Sequence, residues 1–91
     1  MISLGLLELS SIARGIEAGD AMLKAADVCL VRSATVCPGK YIVIITGEVA
    51  AVAAAMAAGR ACAAAFFVDD LVIANLDEQV TAALSGFTVP P

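Results

Sequence analysis

The chain predicts one small α+β domain with a ferredoxin-like β-α-β-β-α-β order: a four-stranded antiparallel sheet, two main helices on one face and a short C-terminal helix. Three observations lead there. Short apolar or β-branched runs occur at residues 2–9, 28–36, 41–46 and 71–76. The first and second runs, like the third and fourth, are separated by stretches of helical spacing or helical composition. The two middle runs are separated only by Cys37-Pro38-Gly39-Lys40, which is long enough for a hairpin and too short for a crossover.

The first run, Ile2 to Leu9, is continuously apolar except for Ser3, Gly5 and Glu8, the mark of a largely buried strand. Ser10 and Ser11 offer hydroxyls to cap the helix that follows. In that helix Ile12, Ile16, Gly19, Leu23 and Ala26 recur at spacings of four and three, predicting an inward apolar stripe. Asp20 and Lys24 form an i,i+4 pair of the favoured polarity. The second run, 28–36, is β-branched and partly alternating. Proline then removes a ladder donor and glycine accepts a positive φ, so Cys37-Pro38-Gly39-Lys40 turns the chain into the third strand, Tyr41 to Thr46. Thr46-Gly47-Glu48 opens a second, alanine-rich helix running to about Phe66, with Glu48 at its positive end. Alanine loses no side-chain entropy on helix formation, so composition alone supports this assignment. Val49, Val52, Met56, Ala63 and Phe67 supply its modest apolar stripe, and Asp69-Asp70 reads as a solvated turn into the fourth strand. Asp77 caps a short last helix through Val80 and Leu84 that ends at Gly86. Residues 1–86 thus form a single domain, and 87–91, Phe87-Thr88-Val89-Pro90-Pro91, a tail or the start of a linker.

Composition bounds what such a domain does. Ninety-one residues remove only about 60–65% of their unfolded surface from water, yet 62% of them are apolar and the mean hydropathy is +0.99. A core this small cannot hide that surface, so a membrane or partner subunits must take the remainder. The membrane candidate, 49–68, is mostly alanine and carries Arg60 near its middle at a cost of about 2.5–3.5 kcal/mol. Burial in an oligomer is the better expectation. The N-terminus lacks a basic region ahead of its apolar run, so no export signal is expected and the cytoplasm is the expected compartment. Net charge is −4 with five Lys and Arg scattered singly, against the clustered basic patch that nucleic acid demands. Three cysteines without a CxxC spacing predict reduced thiols rather than a disulfide framework, and Cys29 and Cys62 read as small buried hydrophobes. The absence of histidine removes the commonest general base and zinc ligand. No nucleophile elbow or phosphate loop replaces it, so no catalytic residue is assigned and an enzyme is not expected.

Several stretches together resemble the bacterial microcompartment (BMC) shell domain. They are Leu4-Gly5-Leu6-Leu7-Glu8, then Gly15-Ile16-Glu17-Ala18-Gly19-Asp20-Ala21-Met22-Leu23-Lys24-Ala25-Ala26, then Gly47-Glu48-Val49-Ala50-Ala51-Val52 with the alanine-rich helix behind it. Their order and spacing, rather than any one of them, carry the resemblance. Ser10 to Gly15 and Cys37-Pro38-Gly39-Lys40 look most like the first half of the tandem-domain, trimer-type members, with the iron–sulfur propanediol-utilisation type nearest in character. The resemblance implies a structural shell protein: six domains in a ring-shaped tile with a central pore for small metabolites, most simply a homohexamer that joins other shell proteins.

By the same resemblance Cys37, Pro38, Gly39 and Lys40 line the pore, where small residues keep the hole open. Lys24 corresponds to a lysine at the seam between neighbouring rings, with Asp27 and Asn75 beside that edge. Asp27 replaces a usual asparagine, and Ala74-Asn75-Leu76 replaces a usual Pro-Arg-Pro. A sharper expectation makes Cys37 a metal ligand, its thiols converging on an iron–sulfur cluster at the symmetry axis. Six-fold symmetry does not suit a cubane, and in the tandem-domain relatives the cluster cysteine resembles one of the second domain. A half of a tandem-domain pseudohexameric trimer with an axial iron–sulfur or electron-transfer role is an alternative reading. A ferredoxin-like small-molecule sensor is the remaining alternative, and it calls for a ligand-organising polar cluster that the sequence does not display.

Overall fold

The two central strands carry apolar side chains on both faces, so the helices that cover one face leave a second apolar face behind them. In the computed structural model, which describes residues 2–74, β1 is Ile2–Leu9, α1 Ile12–Ala25, β2 Cys29–Cys37, β3 Lys40–Glu48, α2 Val49–Ala63 and β4 Phe67–Ala74. A single 3-10 turn, Ala64–Phe66, joins α2 to β4. The strands lie in the order β2-β3-β1-β4 with every neighbouring pair antiparallel. This is the split βαβ arrangement predicted above. The expected C-terminal helix and the tail fall outside the described residues.

Leu7 and Leu9 of β1 and Tyr41, Val43 and Ile45 of β3 point to one face and form a single core with Ala18, Met22, Val52, Ala55, Met56 and Ala63 of the helices. Each fully buried leucine or methionine there is worth about 1.5–3 kcal/mol of transfer free energy. The opposite face carries Leu4, Leu6, Ile42, Ile44, Leu71 and Ile73, aligned in register across β1, β3 and β4. Leu71 and Ile73 stay largely exposed on it.

α1 starts where expected. Ser11 is its N-cap, with Oγ accepting a hydrogen bond from the Arg14 amide at 3.2 Å. Its buried face is only partly the expected one, since Gly19 turns inward and Ala26 packs against the core as predicted, but the large side chains of the stripe do not. Gly15, Ala18, Gly19 and Met22 face inward, whereas Ile12, Ile16 and Leu23 are exposed. The reason is steric: Gly15 lies directly on the Tyr41 ring, and Met22 fills the notch at Gly59 of α2. Only small residues let the helix come so close, and the branched side chains are displaced outward.

α2 also departs from expectation at its end. Ala64 adopts φ 49° and closes the helix, with its own amide bonded to the Arg60 carbonyl. β4 therefore begins at Phe67, so Phe67 belongs to a strand rather than to the helix stripe. Asp69 and Asp70 lie within β4 rather than in a solvated turn. The span Val49–Phe66 is long and apolar enough to cross a membrane by length and composition, but here it breaks at Ala64 and packs Val52, Ala55, Met56, Gly59 and Ala63 inward.

Candidate functional site

The β2–β3 hairpin tip is where the fold presents backbone and small side chains most openly. Cys37 ends β2 and pairs with Lys40, the first residue of β3, leaving Pro38 and Gly39 as a two-residue turn. Proline followed by a glycine at φ 79° is the pattern of a type II turn, whose third position requires positive φ. The ladder slips between Thr35 and Cys37, a bulge that re-aims the end of the strand. Thr35, Val36, Cys37, Pro38 and Gly39 are exposed. With Ile12 of α1 they line a shallow concavity of about 360 Å³.

Lys40 leaves the turn toward the sheet face opposite the helices. Its Nζ lies 3.6 Å from Oε2 of Glu8 on β1. Glu8 thus takes its cation from the same chain. On its other side Glu8 stands directly across from Asp69 of β4. Asp70, on the helix side, is held by an ion pair with Arg60 of α2.

Lys24 sits in the last turn of α1 and donates to Asp20 at 2.8 Å, as their spacing predicts. The hydrogen bond and the charge of Asp20 raise the Lys24 pKa above its ordinary 10.5. Asp27 is exposed just beyond the helix, and Asn75 falls outside the described residues. Lys24 and Cys37 each lie at the C-terminal end of their element, the last turn of α1 and the tip of the hairpin.

The thiols divide differently from expectation. Cys29 is exposed on β2, because it sits at the start of an edge strand, and Cys62 is half-buried. Cys37 is exposed at the hairpin tip, beside proline and glycine that leave its sulfur unobstructed. Among the described residues no three Cys, Asp or Glu side chains gather as a metal-binding group. Cys37 therefore fits an iron–sulfur cluster only as one ligand per chain, with further thiolates supplied by other copies.

One interaction gave no sequence signal. The Arg14 guanidinium donates to the Cys62 carbonyl at 3.2 Å and lies 5.4 Å from the centre of the Phe66 ring. It ties the start of α1 to the end of α2, a contact between segments far apart in the chain.

Comparison with known proteins gives consistent results. The BMC domain family model matches residues 3–76. Over 84 residues the chain is 50% identical to the bacterial microcompartment shell protein PduT of Citrobacter freundii, covering 92% of this chain and 46% of that protein. It is 37% identical over 93 residues to the shell protein EutK of Escherichia coli K12, covering 98% and 55% respectively. Among solved structures, a microcompartment protein from Desulfitobacterium hafniense DCB superposes with a TM-score of 0.92 at 53% identity, over 100% of this chain and 50% of that one. The chain thus spans about half the length of these relatives.

Proposed function

The chain belongs to the BMC-domain family of bacterial microcompartment shell proteins, and we propose that it is a structural tile of such a shell, lying in the cytoplasm as one domain of a ring. Cys37, Pro38, Gly39 and Lys40 of each domain gather round the ring axis and line a pore for small metabolites. The observation that carries this reading is the hairpin tip itself: an exposed, side-chain-poor turn, braced by a bulge, on a domain that leaves branched apolar side chains uncovered. A turn built from proline and glycine narrows a central opening without plugging it. The uncovered side chains on α1 and β4 give neighbouring domains something to bury. The ring is most simply a homohexamer that tiles with other shell proteins, with Lys24, Asp27 and Asn75 along its outer edge. Its role is structural rather than catalytic.

A second reading is favoured by one observation, the half-length coverage of its relatives. In it the domain is half of a tandem parent that closes as a pseudohexameric trimer, and Cys37 thiols from several copies hold an iron–sulfur cluster on the axis. Bound there, such a cluster supplies one-electron transfer.

Native mass spectrometry of the purified chain tests the first reading. A mass near six times 9.1 kDa is expected, and a stable monomer overturns the homomeric ring. Anaerobic reconstitution with iron and sulfide tests the second. Visible absorbance with a stoichiometric iron content supports it, and colourless, iron-free protein overturns it.

A further inference from the structure

Lys40 is the only charged residue between Ala34 and Tyr41, so the hairpin itself brings a single positive charge to its tip. The fold answers it from a different strand. Glu8 pairs in register with Ile42, two residues along β3 from Lys40, so both side chains emerge on the same face as diagonal neighbours. Their charged atoms are 3.6 Å apart, with the lysine side chain 44% and the glutamate side chain 26% exposed. That separation is longer than a direct hydrogen bond, and a half-exposed pair adds little to stability. Its consequence is electrostatic. A single charge some 7 Å away acts through water with about one RT, roughly a threefold change in the local concentration of a monovalent ion. Copies arranged round an axis add their fields. A carboxylate at near-contact distance cancels most of that field at its source.

We infer that Glu8 sets the charge of the hairpin tip: by neutralising Lys40 on the open sheet face, it leaves the rim of Cys37, Pro38 and Gly39 without a cationic field, so the opening does not select anions over uncharged solutes. The part concerning solutes rests on the pore reading above. The part concerning charge belongs to the single chain and is measurable without it.

Cys37 is a built-in reporter, because it pairs directly with Lys40 and is exposed. The test compares its rates of modification by an anionic and a cationic methanethiosulfonate at low ionic strength. Peptide mass spectrometry separates Cys37 from Cys29 and Cys62. The ratio of the two rates cancels any change in the thiol's own reactivity. Relative to the parent chain, Glu8→Gln is expected to raise the anionic-to-cationic ratio by about five- to tenfold, the square of the threefold effect above. Lys40→Gln is expected to lower it, and the double variant to return it to the parent value. A purely structural role for Glu8 does not produce opposite signs in the two single variants. A ratio within twofold of the parent in Glu8→Gln, or a shift of the same sign in both, overturns the inference.

Native mass spectrometry of the same samples reports separately on the ring, so the two readings fail distinguishably. Where rings form, planar-bilayer recordings under a potassium chloride gradient read the solute preference. Glu8→Gln is expected to move the reversal potential toward that of chloride, and an unmoved potential overturns the preference.

Discussion

The ring of Tyr41 fills the space beside Gly15: a methyl group added to Gly15 lands 2.3 Å from Tyr41 Cδ2 and 2.7 Å from Cγ. Tyr41 belongs to β3 and Gly15 to the second turn of α1, so this one contact sets how closely the first helix lies on the sheet. The ring has no easy retreat. Its hydroxyl shares a short hydrogen bond with Ser33 Oγ on β2, and the clashing atoms sit near the root of the side chain.

Gly15→Ala therefore pits two effects of known size against each other. Alanine gains about 1 kcal/mol over glycine in a helix interior, while overpacking costs about 1–3 kcal/mol and here involves an anchored ring. The clash wins. A net loss of about 1–2 kcal/mol is expected, lowering the melting temperature by roughly 5–15 °C at fixed protein concentration. A raised melting temperature would show the contact to be soft.

Gly39→Ala destabilises for the opposite reason. A Cβ there meets nothing within 4 Å, but φ is 79°. The cost is purely conformational, about 1–2 kcal/mol. Gly39→Asn is expected to recover much of it, since asparagine visits the left-handed region more readily. The comparison is made by urea denaturation. Equal losses for alanine and asparagine would mean that the hairpin, not φ, is perturbed.

The contrast between these two glycines explains how far the sequence could be read. The Pro38-Gly39 turn was legible because its chemistry is local, and so were the Ser11 cap and the bounds of β1. Gly15 stood outside the stripe of Ile12, Ile16, Gly19, Leu23 and Ala26, since its value lies in a tyrosine on another element. The α2 end was misplaced because an alanine at Ala64 signals continuation, while the backbone there turns to φ 49°. At the candidate site, the hairpin residues were identified from resemblance, and nothing local announced that Glu8 would answer Lys40. Pairing across strands depends on register, which one strand's sequence does not encode.

Removing the Ser11 hydroxyl tests the local part of that reading. Ser11→Ala leaves the Arg14 amide without its capping acceptor and is expected to cost about 1 kcal/mol. Ser10→Ala is expected to cost less, since Ser10 Oγ makes only an exposed 3.4 Å contact with the Phe66 carbonyl. Denaturant midpoints of the two variants give the order, and a larger loss at Ser10 would reassign the cap.

Lys24 separates stability from assembly. Its pKa is raised by the hydrogen bond from its ammonium to Asp20 and by that carboxylate's charge. A raised folded-state value means that any stabilisation is present below pH 10.5 and fades as pH climbs through the folded value. The ammonium is fully exposed, and solvent screening leaves the pair little weight. Lys24→Ala is thus expected to leave the melting temperature at neutral pH unchanged. If Lys24 lies on the ring edge, the same variant loses extended sheets by electron microscopy while keeping its ring mass. Unaltered sheets would remove Lys24 from the edge.

The exposed apolar side chains of α1 and β4 make a last demand on the solution behaviour. Ile16 is 58% and Leu71 52% exposed in the isolated chain, and a domain of this size has little stability to spare. If association buries those surfaces, folding and assembly are linked, and mass action makes the melting temperature depend on protein concentration. Scanning calorimetry across a hundredfold dilution is expected to show the transition moving to lower temperature as the protein is diluted. A transition independent of concentration would mean that the single chain carries its own stability. In that case the uncovered isoleucine and leucine would be tolerated surface rather than interface.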